Sequence, residues 1–143
     1  MEVYRFSTGE ETVELSLKPD VKKIYMEPTT SCNYSCITCI RHSWSDEIGH
    51  MPWTIFEKLI KYMAALPQLR AVHFGGFGEP LSHPKILEMI TACKNKGYSV
   101  EMITNGSLLT EEVAAQLIDI GLDWIYISLD GPDEDCFSRI RPG

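Results

Sequence analysis

No stretch of the chain approaches the about eighteen consecutive apolar residues that a membrane-spanning helix requires, so no membrane partner is expected. The first residues, Met1-Glu2-Val3-Tyr4-Arg5-Phe6, carry neither a basic nor an apolar leader. Low-complexity tracts are also missing; with 44% hydrophobic and 23% charged residues, disordered, collagen-like and coiled-coil classes are excluded. Basic residues are in deficit, 13 Lys and Arg against 20 Asp and Glu. The resulting net charge of −7 repels polyanions, and a nucleic-acid partner is not favoured. The fingerprint G-x-G-x-x-G is absent, and no Walker lysine follows the glycine-rich segment. A soluble cytoplasmic protein with reduced thiols is expected.

What the chain does have is a cluster of cysteine: of its 5, Cys32, Cys36 and Cys39 crowd into one short segment. A length of 143 residues corresponds to one domain. Residues 1–20 read as a β-hairpin turning at Thr8-Gly9-Glu10, and residues 21–143 alternate strands with helices. The strands are Ile24 to Glu27, Ala71 to Phe74, Ser99 to Ile103 and Trp124 to Leu129. A helix opens at Thr54 with a capping box to Glu57, its buried stripe being Ile55, Phe56, Leu59, Ile60 and Met63. Another starts at His83-Pro84 and ends at Gly97; a third is capped by Thr110 and ends at Gly121. A fourth follows Asp130-Gly131-Pro132.

Four βα units in succession define an α/β fold with a parallel sheet, read as a partial TIM-type βα barrel preceded by the hairpin. A closed barrel needs about 250 residues, so residues 21–143 are expected to be the N-terminal part of a core truncated at its C-terminus. The loops after the four strands share one rim, the face on which such folds bind ligands. They carry Cys32, Cys36 and Cys39; Gly76, Gly78 and Glu79; Asn105; and Ser128 and Asp130.

The cysteines are spaced C-x3-C-x2-C, which suits zinc or an iron–sulfur cluster. A cluster held by three thiolates keeps one iron open to an exogenous ligand. A zinc site would take His42 as its fourth ligand; the competing reading of the cysteines is a zinc- or iron–sulfur-binding module, structural or electron-transferring, without enzymatic activity. The cysteines alone leave both open. In Gly75-Gly76-Phe77-Gly78-Glu79-Pro80 the glycines allow a sharp turn and close approach to a ligand, and Glu79 offers a carboxylate to a cation.

Taken together and in order, the cysteine triplet, Gly-Gly-x-Gly-Glu-Pro, Thr-Asn-Gly and Ser-Leu-Asp-Gly resemble the radical S-adenosylmethionine (SAM) superfamily over about residues 24 to 143. The runs Gly-Phe-Gly-Glu-Pro-Leu-Ser-His-Pro and Ile-Ser-Leu-Asp-Gly-Pro are similar to its SPASM-containing branch, which matures peptides, proteins or cofactors; maturases of tungsten-enzyme cofactors are one match. The resemblance implies an iron-dependent enzyme, with Cys32, Cys36 and Cys39 holding a [4Fe–4S] cluster whose fourth iron chelates SAM. It implies that Glu79 and the backbone of Gly76 to Gly78 receive the SAM amino group, and that Asn105, Ser128 and Asp130 face its ribose or carboxylate. Arg141, or else Arg139, would pair with the carboxylate. Ferredoxin or flavodoxin would supply the electron that cleaves SAM to methionine and a 5′-deoxyadenosyl radical, which takes hydrogen from a peptide, protein or cofactor substrate. One departure is Thr38, where many members carry an aromatic residue against the adenine; Tyr34 and Trp44 lie nearby.

The remaining residues read as structural. Cys93 and Cys136 are buried free thiols, His73 a core histidine and His83 a helix-start residue; His42 and His50 lie in the loop. Trp53, Trp124, Met51, Met63 and Met89 pack.

Overall fold

The computed structural model describes all residues except 1, 10, 18, 19 and 46, so Glu10 of the expected turn lies outside the described residues. Strands β1 (Glu2–Thr8) and β2 (Glu11–Leu17) pair antiparallel, with Thr8 opposite Glu11. The second sheet is parallel, in the order β3 (Lys23–Met26), β4 (Ala71–Phe74), β5 (Ser99–Thr104), β6 (Trp124–Ile127). Helices α1 (Trp53–Met63), α2 (Ile86–Asn95) and α3 (Glu111–Ile120) make the crossovers, and α4 (Glu134–Ile140) follows β6.

Alternation along the strands separates two faces. Val72, Phe74, Val100 and Met102 are fully buried beside Met89, Ile90 and Cys93 of α2, with Phe56 and Met63 of α1 and Leu117 of α3 completing the core. Apolar strand residues facing amphipathic helices supply the main driving force of such a layer. The opposite face is polar and aromatic: Tyr25, His73 and Glu101 lie side by side in register, and Glu101 faces Trp124.

Two ends are as expected. Thr110 Oγ1 accepts the Val113 N–H at 3.2 Å, and Gly121 closes α3 with φ 78°, a conformation that favours glycine. The capping box of α1 does not form. Pro52 occupies the N-cap position without a side-chain bond, the helix starts at Trp53, and Glu57 accepts the Trp53 indole N–H at 3.0 Å. Ile55 falls on the outer side of α1 and is exposed, and Trp124 on β6 is also exposed. α2 begins at Ile86, because Pro80–Ser82 forms a 3₁₀ turn and Lys85 takes the N-cap position.

His83 serves a different role from a helix start. It is buried to 4% exposure, Nε2 lies 3.1 Å from the Met51 carbonyl, and Nδ1 accepts the Lys85 N–H at 3.0 Å. An Nδ1 that accepts must be bare, so the proton sits on Nε2 and the ring is neutral. Burial pushes its pKa below the usual 6.5, outweighing the Met51 bond. The folded state therefore binds this proton more weakly than the unfolded chain does. Stability from His83 is fully present above pH 6.5 and is lost as pH falls through the lower folded value. Denaturant unfolding at pH 7.5 and at about pH 5.5 should accordingly show a drop in midpoint that is smaller in His83→Gln than in the parent chain.

Candidate functional site

The four strand ends deliver their loops to one cavity. It is lined by all three thiols of the Cys32–Cys39 loop, by Gly76 to Glu79 after β4, and by Asn105, Ser128 and Arg141. Thr38, Tyr34 and Phe77 also reach it. Asp130 is absent from the lining: its Oδ2 accepts Arg141 Nε at 2.8 Å and Nη2 at 2.6 Å, so it holds the arginine rather than facing the cavity. Arg139 points elsewhere, donating to the Asp135 carbonyl and to Cys136 Sγ. Cys136 is thus half-buried rather than packed inside.

Local contacts build the cysteine loop. Arg41 Nη2 donates to the Tyr34 carbonyl at 2.7 Å. Ser35 N–H donates to Pro142 O and Ile37 N–H to Ile140 O, so the end of α4 lies along the loop. Asn105 Nδ2 donates to Asn33 Oδ1 at 3.0 Å, joining the rim of β5 to the same loop. His42, the candidate fourth zinc ligand, has Nε2 2.8 Å from the Cys36 carbonyl oxygen. A single zinc ion draws its thiolates to within roughly 4 Å of one another. Among the described residues no three metal-binding side chains gather around one such point, yet the three thiols face a common cavity. Burial pushes the Cys36 thiol pKa up, partly offset by Arg141, so iron loading must displace its proton.

Glu79 is buried to 2% exposure. Its Oε1 accepts Thr104 Oγ1 at 2.6 Å and the Leu81 N–H at 3.0 Å, and its Oε2 accepts the Asn105 N–H at 2.7 Å. Glu27, which the sequence did not single out, ends β3 in a similar way: its Oε1 accepts the Phe77 N–H at 2.5 Å. A clue was its place directly before Pro28, at a strand end on the ligand rim. The glycines answer to the protein first. A Cβ on Gly76, whose φ is 132°, would strike the Glu27 carboxylate, and one on Gly78 would strike the Thr29 carbonyl. Trp44 packs edge-on to Phe77, with ring centroids 4.6 Å apart.

A parallel βα sheet whose rim gathers three thiols, a glycine turn and a buried carboxylate defines a cluster-binding α/β fold of the partial-barrel kind. The chain belongs to the radical SAM superfamily, whose family model matches residues 26–143. The cofactors of that family are a [4Fe–4S] cluster and SAM. A "tungsten-containing aldehyde ferredoxin oxidoreductase cofactor-modifying protein" of Pyrococcus furiosus is 37% identical over 110 residues, 77% of this chain and 31% of that protein. Among solved structures, BtrN in complex with AdoMet and 2-DOIA matches with TM-score 0.68 and 22% identity over 74% of this chain and 44% of that one. Streptococcus suis SuiB bound to precursor peptide SuiA matches with TM-score 0.66 and 17% identity over 83% and 26%. These two likenesses show the fold. The chain spans about a third of the length of the curated relatives it matches.

Gly78→Ala should destabilise the chain by roughly 1–3 kcal/mol through collision with the Thr29 backbone. Gly49→Ala, with no atom within 4 Å of its new methyl, should be near neutral. Equal urea midpoints for the two variants would overturn this account of the turn.

Proposed function

We propose that this chain is the cofactor-binding part of a radical SAM enzyme of the SPASM-containing maturase branch, acting on a peptide, protein or cofactor and taking its electron from ferredoxin or flavodoxin. The supporting observation is the convergence of three thiols, the Gly76–Glu79 turn, Asn105, Ser128 and Arg141 on one cavity. The substrate class leans on the relatives, one described as cofactor-modifying and one solved with a precursor peptide. No helix is long and apolar enough to cross a membrane among the described residues.

When bound, the cluster and SAM supply a 5′-deoxyadenosyl radical for hydrogen abstraction, and the protein's part is to hold, orient and shield them. Cys32, Cys36 and Cys39 are assigned to three irons. Asp130 engages Nε and Nη2 of Arg141, leaving Nη1 for the SAM carboxylate; pairing with Asp130 also fixes the plane of the guanidinium. Glu79 anchors the turn so that its backbone can receive the SAM amino group, while its own carboxylate supplies the negative charge beneath that group. Asn105 and Ser128 are assigned to the ribose side.

Anaerobic reconstitution tests the assignment. The parent chain should bind iron and give a reduced [4Fe–4S] EPR signal that changes when SAM is added. Cys36→Ala should lose that iron, whereas Cys93→Ala, whose thiol is buried in the core away from the cavity, should keep it. Stoichiometric zinc without iron, or equal iron in both variants, would sink the reading.

A further inference from the structure

One polar cluster is used neither by the core nor by the rim. On the sheet face away from the helices, the Glu101 carboxylate of β5 contacts both Lys23 of β3 and His73 of β4, the strand between them. Its Oε2 accepts Lys23 Nζ at 2.8 Å and lies 3.2 Å from His73 Nδ1. His73 and Glu101 are largely shielded, at 13% and 12% side-chain exposure. Tyr25 flanks the imidazole at 4.8 Å between ring centroids and Tyr126 at 6.0 Å. The groups facing His73 from neighbouring elements are therefore Lys23, Tyr25, Glu101 and Tyr126.

The geometry fixes the tautomer. The hydrogen bond from the Lys23 ammonium holds the Glu101 carboxyl below its usual range, so it is ionised and can only accept. His73 must then place its proton on Nδ1, which leaves the Nε2 lone pair bare in the neutral ring. Nε2 has no protein partner among the described hydrogen bonds. Its position is also defined: a Cβ built on Gly75 would lie 3.0 Å from it and 2.8 Å from Ile103 Cγ2. Ile103 and Gly76 line the cavity that holds the cysteines, so Nε2 sits one residue layer beneath that cavity on the same face of the sheet.

We infer that His73 is a substrate-recognition residue, a hydrogen-bond acceptor preset by the Lys23–Glu101 pair that receives a neutral hydroxyl or amide N–H donor of the substrate below the radical site. The role rests on the function proposed above for the rim, but its chemistry does not require the cluster. A carboxylate or phosphate would meet a bare lone pair there and is disfavoured; an N–H or O–H donor completes the imidazole.

Ring-nitrogen NMR on the whole protein labelled with ¹⁵N-histidine, with and without iron, reads this out; loss of one signal in His73→Asn gives the assignment. The neutral form of His73 should be the Nδ1–H tautomer, and Glu101→Gln should shift it toward the Nε2–H form that dominates in free histidine. Titration with N-methylacetamide should move the Nε2 resonance of His73 in a saturable way, whereas N,N-dimethylacetamide, which has no N–H, and acetate should not. His83, with both ring nitrogens already bonded, should be unmoved by all three. An Nε2–H tautomer in the parent protein, or identical responses to the two amides, would overturn the inference. Failure to bind iron with the tautomer and the amide response intact would instead count against the rim assignment alone.

Discussion

The rim of this fold depends on a carboxylate placed where two parallel strands stop. Beyond Phe74 and Met102 the ladder no longer pairs the backbones of β4 and β5, and their N–H groups would be left without partners as the chains diverge. Glu79, nearly sealed from water, accepts from Thr104, Leu81 and Asn105 at 2.6–3.0 Å and so continues the connection through a side chain. A buried charge is tolerable only when it is fully bonded. Here the donors come from both strand ends, so losing any one of them would leave the charge underbonded as well as loosen the rim. Glu27 repeats the device between β3 and the same turn, accepting from Phe77 and Gly78.

The glycines are part of that construction. Their bare Cα positions let the Gly75–Gly78 turn lie against Glu27 on one side and the Thr29–Ser31 backbone on the other, where the Glu79 N–H reaches Ser31 O at 2.8 Å. A ligand at this rim thus meets backbone that is already immobilised by two carboxylates. Preorganisation of this kind lowers the ordering cost of binding.

The sequence disclosed the layer and its order because those follow from local pattern. Period-two strands, amphipathic helices, Thr110 and Gly121 each act through neighbours within a few residues. It disclosed the cysteine loop because three cysteines lie on one short segment. It misread positions where another partner, near or remote, wins over the spacing of the motif itself. Thr54 and Glu57 have the spacing of a capping box, but Pro52 already holds the N-cap position and the Trp53 indole takes the carboxylate. His83 looked like a helix start because its bond to Met51, 32 residues away, leaves no local trace. Nothing local to Asp130 announces that its carboxylate engages Arg141, a pairing that only the fold of α4 creates.

That last pairing shows how the site is assembled from the chain's two distant ends. Arg141 is brought back over the cavity because α4 runs from Asp133, whose side chain accepts the Cys136 N–H at 2.8 Å and starts the helix, to Ile140 and Pro142, whose carbonyls receive N–H groups of the cysteine loop. The loop between Cys32 and Cys39 has few regular backbone partners of its own; it gains them from residues more than a hundred positions later. Ordering the three thiols and delivering the guanidinium are therefore one folding event rather than two. A change that shortened α4 or unseated its first turn would misplace Arg141 and release the loop together. The Asp130–Arg141 pair, with the arginine side chain only 11% exposed, then holds that arm over the cavity. It fixes the one cationic side chain that lines it among the described residues, in a cavity that Glu79 also lines. A cavity lined by a carboxylate and a guanidinium offers complementary partners to a ligand that carries both an amino group and a carboxylate.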